Sequence, residues 1–163
     1  MRLTASMIVR DEERVLARCL SSIRELVDEI VVVDTGSTDD SVAIARSFGA
    51  VVVERPWEDD FAASRNQALD LATGDWILYL DADEHLVGGD RVLLDAAWAA
   101  HPDAVCLRLL LRGHADFTPY REHRLWRHGL GIRFRGAIHE EVVTDIEALL
   151  AAGAGSRANV DLL

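Results

Sequence analysis

The chain has 163 residues, 17 of them basic and 28 acidic, and carries a formal charge of −11 at pH 7. This length fits one domain with a sizeable core, and a composition 50% hydrophobic and 28% charged excludes a largely disordered chain. The acidic balance argues against a nucleic-acid partner, whose phosphates need a basic surface. All 17 basic residues are Arg, which excludes P-loop lysines, Schiff-base lysines and pyridoxal phosphate chemistry.

The apolar run from Leu3 to Val9 predicts a strand, and Leu16, Cys19, Leu20, Ile23 and Val27 then recur at helical spacing. A β-branched run, Ile30 to Val33, predicts the second strand. It leads into Asp34-Thr35-Gly36-Ser37-Thr38-Asp39-Asp40, which suits a turn and a helix N-cap. The next helix carries Val42, Ile44, Ala45 and Phe48, with Gly49 as its stop. A third strand spans Val51 to Val53, Pro56-Trp57 open a loop, and a helix is predicted from Phe61 to Ala72, closed by Gly74. Trp76 to Leu80 form the fourth strand, ending in Asp81-Ala82-Asp83-Glu84.

Alternation of strand and helix implies a mainly parallel α/β sheet with helices on both faces, where ligands bind beyond the carboxyl ends of the strands. A helix around Arg91 to Ala100 follows. Ala104 to Leu111 and Arg121 to Trp126 then predict strands with no helix between them, so antiparallel strands are expected in the second half. The Ala-rich tail from Asp145 to Leu163 predicts a short helix and a loose end. Cys19 and Cys106 lie far apart and read as buried, reduced thiols of a cytoplasmic protein. No apolar stretch reaches the roughly 18 residues of a spanning helix, so no membrane span is expected.

Asp81, Asp83 and Glu84 place three carboxylates within four residues at a strand end. Such groups repel one another unless a cation holds them, and oxygen ligands favour Mg²⁺, Mn²⁺ or Ca²⁺ over zinc. The alternative is a solvated acidic turn. Asp34 suits either a ribose or base contact or the cap of its own turn, and Asp39 and Asp40 suit capping, since carboxylates are stabilised in a helix's first turn. A nucleotide's phosphates need positive charge, yet there is neither a G-x-G-x-x-G turn nor a Walker lysine; a carboxylate-bound metal would fill that role. Arg65-Asn66 could reach a base or phosphate. His139-Glu140-Glu141 pairs a candidate metal ligand with a candidate general base behind Gly136. Arg121, Arg124, Arg127, Arg133 and Arg135 could balance a diphosphate or pair with the acidic surplus.

Taken in order, Met7-Ile8-Val9-Arg10-Asp11-Glu12, Val31-Val32-Val33-Asp34-Thr35-Gly36-Ser37-Thr38-Asp39, Ser64-Arg65-Asn66 and Leu80-Asp81-Ala82-Asp83-Glu84 resemble a family 2 glycosyltransferase of the GT-A fold. Arg124-Leu125-Trp126-Arg127 with Phe134-Arg135-Gly136-Ala137-Ile138-His139-Glu140 resembles the branch of peptide-modifying and tetratricopeptide-linked transferases. The resemblance covers about residues 1 to 143 of a single domain spanning 1–163.

It implies an inverting, metal-dependent transfer of sugar from a nucleoside diphosphate donor, UDP-linked, to an acceptor that the sequence does not name. Val9 and Arg10 would lie beside the base with Asp34 on the nucleoside and Arg65 assisting. Asp81 would touch ribose or metal, and Asp83 and His139 would hold Mn²⁺ or Mg²⁺. Glu140, or failing it Glu84, would be the catalytic base. Family members commonly continue past the His-Glu segment, which implies a partner protein completing the acceptor side. The rival reading is a nucleotide-sugar-binding or scaffolding module without turnover. Receiver-type signalling domains and nucleotidyltransferases also gather carboxylates at strand ends, but the first resemble one another in a lysine and the second in a Gly-rich basic loop, both absent here.

Overall fold

The structure, a computed structural model, describes residues 1–88, 90–112 and 118–160. The elements follow the predicted order: β1 (Leu3–Val9), α1 (Leu16–Ile23), β2 (Glu29–Asp34), α2 (Ser41–Ser47), β3 (Val51–Glu54), α3 (Phe61–Leu71) and β4 (Trp76–Tyr79). Then come α4 (Arg91–Ala100), β5 (Ala104–Leu111), β6 (Tyr120–Arg127), α5 (Val143–Ala151) and β7 (Ser156–Val160). Leu16, Cys19, Leu20 and Ile23 fall on one face of α1 and are all buried, as their three- and four-residue spacing requires. Asp60 caps α3 by accepting the Ala63 amide at 2.8 Å, and Asp90 caps α4 by accepting the Val92 amide at 2.7 Å.

The described strands form one sheet in the order β3-β2-β1-β4-β6-β5-β7. β1, β2, β3 and β4 run parallel, and β6 is inserted antiparallel between β4 and β5. The expected α/β sheet with antiparallel strands in its second half is therefore present. The carboxyl ends of β1, β2 and β4 share one edge, and β6 starts at that same edge because it runs the other way. Chain following the parallel strands and side chains early in β6 are thereby brought together.

The side chains of β4 and β6 alternate between the two faces of the sheet. Leu78 and Leu125 pack with Leu20, Leu94 and Trp98 on the face covered by α1 and α4. Ile77 and Trp126 pack with Leu69, Phe134 and Ile146 on the face covered by α3 and α5. Each fully buried aliphatic side chain contributes about 1.5–3 kcal/mol. Cys19 and Cys106 are free and buried, and burial pushes their thiols up to about 12 and about 11. No described helix is long and apolar enough to cross a membrane.

The tail departs from expectation. Residues 156–160, read as part of a loose end, form β7 and pair in parallel with β5. Ser-Arg-Ala-Asn-Val has too little apolar alternation to announce a strand; the turn before it supplies the direction. Gly155 has φ +147°, and a Cβ there would lie 2.2 Å from the Asp103 carbonyl oxygen, the acceptor for the Ser156 amide. Gly155→Ala is accordingly expected to cost about 1–3 kcal/mol and to lower the midpoint of urea unfolding. An unchanged midpoint would show that β7 does not depend on this approach.

Candidate functional site

The loop after β1 is laced to the loop after β2. Asp11 takes a left-handed φ of +53°, donates its amide to Ser37 Oγ at 2.9 Å and accepts the Thr38 amide at 2.7 Å. The Glu12 amide donates to Ser41 Oγ at 2.7 Å, and the Glu13 amide to Asp39 at 3.0 Å. Asp34, buried at the end of β2, accepts the Gly36 and Ser37 amides at 3.1 and 3.0 Å and the Ser37 hydroxyl. Its carboxylate thus closes its own turn, leaving lone-pair capacity for one further donor. Asp39 caps α2 through the Ser41 amide at 2.9 Å, whereas Asp40, at the N-cap position, makes no side-chain capping bond.

Between these loops and α3 lies a cleft of about 420 Å³. Ile8, Val9, Arg10, Glu12 and Thr35 line one side, and Trp57, Phe61 and Arg65 the other. Trp57 and Phe61 meet edge to face with centroids 4.6 Å apart, a partly apolar wall suited to a planar ring. Among the residues predicted for the donor, Val9, Arg10 and Arg65 are brought together here. Sequence reading missed Glu12, Trp57 and Phe61 as lining residues; the loop-opening Pro56-Trp57 beside a strand end was the available signal.

Arg65 runs from the cleft into the acidic turn. Its side chain is only 8% exposed. Nε donates to Glu140 Oε1 at 2.5 Å and Nη2 to Asp81 Oδ1 at 2.6 Å. Arg124 enters from β6 on the other side, 7% exposed, donating to Glu84 and Glu122 at 2.8 Å each and standing 3.6 Å from Asp81 Oδ2. The Tyr79 ring lies against both guanidiniums, 4.4 Å from that of Arg65 and 4.1 Å from that of Arg124. Trp126 and Phe134 pack beside it.

Burial pushes the Tyr79 phenol up to about 12 although both arginines pull the other way. Burial also raises Glu84, against the opposing charge of Arg124. Glu84 further accepts the Asp81 amide at 2.9 Å, so its carboxylate is engaged in closing the 81–84 turn. Asn66 exchanges hydrogen bonds with the Phe134 backbone at 2.9 and 3.0 Å, clamping the loop that leads to Glu140. Of the later arginines, Arg124, Arg133 and Arg135 pair with carboxylates, which favours the second of their two predicted roles.

Asp83 is exposed within the 81–84 turn, and His139 is exposed in a left-handed conformation, φ +58°. Asp81 is committed to two arginines. Among the described residues no group of three or more His, Cys, Asp or Glu side chains is arranged to hold a cation, so Asp81, Asp83 and His139 form no closed cage. A divalent ion carried by a nucleotide needs none, because Mg²⁺-like ions keep waters and take one or two carboxylates plus substrate phosphates. The local charge fits such an ion: Glu12 is raised first by burial and then by the negative charges of Asp83, Asp39, Asp11 and Asp81.

Known proteins extend this description. The family model for glycosyl transferase family 2 matches residues 4–148. A TPR repeat-containing protein of Synechococcus elongatus is 45% identical over 151 residues, covering 88% of this chain and 36% of its own length. The chain thus spans about a third of that relative. Staphylococcus aureus TarS 1–349 in complex with UDP-GlcNAc superposes with TM-score 0.74 at 20% identity, covering 99% of this chain and 56% of that one. Mycobacterium tuberculosis glucosyl-3-phosphoglycerate synthase, in complex with Mn²⁺, UDP-glucose and phosphoglyceric acid, superposes with TM-score 0.68 at 18% identity, covering 99% and 69%. Likeness at these identities shows a shared fold.

Proposed function

Since the chain belongs to glycosyl transferase family 2, we propose that it transfers a sugar from a nucleoside diphosphate donor, UDP-linked, to an acceptor nucleophile with inversion at the anomeric carbon. One observation carries the reading: a partly aromatic cleft at the carboxyl ends of β1 and β2 shares Arg65 with the acidic turn that follows β4. Crystal structures of the shared fold with UDP-GlcNAc and with Mn²⁺ and UDP-glucose support it.

In this reading the base lies between the Val9–Arg10 segment and the Trp57–Phe61 wall, with Asp34 and Arg65 as its polar partners. Asp81 serves the ribose, and Asp83 with His139 holds Mn²⁺ or Mg²⁺ at the diphosphate. Charge growing on departing UDP is what a bound divalent ion, as a Lewis acid, stabilises. Glu140, fixed by Arg65 at 2.5 Å, takes the proton of the attacking acceptor group; general-base assistance of this kind is worth about 10²- to 10⁴-fold. Glu84, held by Arg124 and the Asp81 amide, is left a structural role. The acceptor side is completed by further chain or a partner protein, in keeping with a relative that bears TPR repeats, and the protein works in the cytoplasm.

Calorimetric titration with UDP, with and without Mn²⁺, followed by UDP-sugar turnover, tests this. Mn²⁺-enhanced binding with sugar transfer is expected; binding without hydrolysis or transfer to any acceptor would leave a nucleotide-sugar-binding module, and no binding with or without metal would overturn the proposal.

A further inference from the structure

We infer that Arg124 is a positioning residue for the acidic turn: it holds Asp81 and Glu84 from β6 so that Asp83, between them, meets the metal–diphosphate in one geometry. The inference rests on the donor site proposed above and goes beyond it, because Arg124 lines no part of the cleft.

The 81–84 segment follows β4 and has β1 on one side, while β6 flanks β4 on the other and runs antiparallel to it. Leu78 pairs with Leu125, so the next residue along β6 toward the site edge, Arg124, reaches past the end of β4. A side chain there can brace the turn from β6, opposite the hold that Arg65 takes on Asp81 from α3.

Arg124 uses each part of its planar fork differently. Nη2 donates to Glu84 Oε1 at 2.8 Å, Nε donates to Glu122 Oε2 at 2.8 Å, and the plane rests on the Tyr79 ring. Nη1 is buried without a hydrogen-bond partner, 3.6 Å from Asp81 Oδ2. Glu84 in turn accepts the Asp81 amide through its other oxygen, Oε2, at 2.9 Å. One cation therefore ties both ends of the turn, Asp81 and Glu84, to a rigid strand, with Glu122 fixing the fork from behind. Lys could supply the charge but not the planar three-way geometry.

Groups that orient a metal ligand typically cost about 10- to 100-fold in metal affinity when removed. The test compares UDP affinity with and without Mn²⁺ for wild type, Arg124→Lys and Glu122→Gln, with thermal midpoints alongside. Glu122 is 37% exposed, so its substitution loosens the fork with little risk to folding. Arg124→Lys is expected to lose about 10-fold or more of the Mn²⁺-dependent gain in UDP affinity, with a smaller loss of metal-free UDP affinity through Asp81 and Glu122→Gln intermediate. In an Asp83→Asn background, Arg124→Lys should cost no further Mn²⁺-dependent affinity. A Mn²⁺-dependent gain equal to wild type in both variants overturns the inference. So does an equal loss of metal-free and metal-dependent binding, which is what general destabilisation would give. A wild-type protein with no Mn²⁺-dependent gain defeats the metal-dependent donor reading itself, an outcome distinct from either.

Discussion

Asp83→Ala is expected to abolish the Mn²⁺-dependent part of UDP binding and to reduce sugar transfer by more than about 100-fold, equivalent to about 2.7 kcal/mol of transition-state stabilisation. Asp83 is exposed and lies in a turn whose internal hydrogen bonds come from Asp81 and Glu84. Its loss should therefore shift stability by no more than about 0.5 kcal/mol, as for other surface substitutions. Binding loss and stability are in this way separable. Isothermal titration across Mn²⁺ concentrations, beside a thermal melt, checks both. Equal Mn²⁺-dependent affinity in variant and wild type would remove Asp83 from the metal site.

Arg65→Met is expected to be the most destabilising change at the site. The guanidinium is nearly buried and satisfies Glu140, itself 11% exposed, together with Asp81. Burial disfavours its charge, yet Asp81 and Glu140 raise its pKa above the ordinary arginine value, so the cation is held firmly in place. Removing one member of a buried ion pair costs about 3–5 kcal/mol because the partner charge stays behind without compensation. For a chain of this length that corresponds to a drop in Tm on the order of 10 °C. Adding Glu140→Gln should recover part of the loss, since it removes the stranded carboxylate; two independent, additive losses would show that the pair is not coupled. UDP affinity should fall as well, because Arg65 also lines the cleft.

The chain advertises its parallel half plainly. Apolar periodicity is local information, and β1 to β4 with their helices fall where the spacing of Leu, Ile and Val puts them. Once those strands are parallel, Arg10, Asp34 and Asp81 must share an edge, so their nearness was legible in the sequence. β7 was not legible, because its pairing with β5 depends on a glycine approach to Asp103 and not on its own alternation.

By itself, then, the sequence determined the order of elements through α5, the edge at which Asp34 and the acidic turn gather, and the family. Tertiary structure alone decided which charges meet. Arg65 and Glu140 are 75 residues apart, and Arg124 and Glu84 are 40 apart. No spacing rule connects such positions. They meet because β6 inserts antiparallel beside β4, and because Asn66 clamps the Phe134 loop so that Glu140 returns over α3. The same packing committed Asp81 to two buried arginines, since a buried charge must find a partner wherever the fold supplies one.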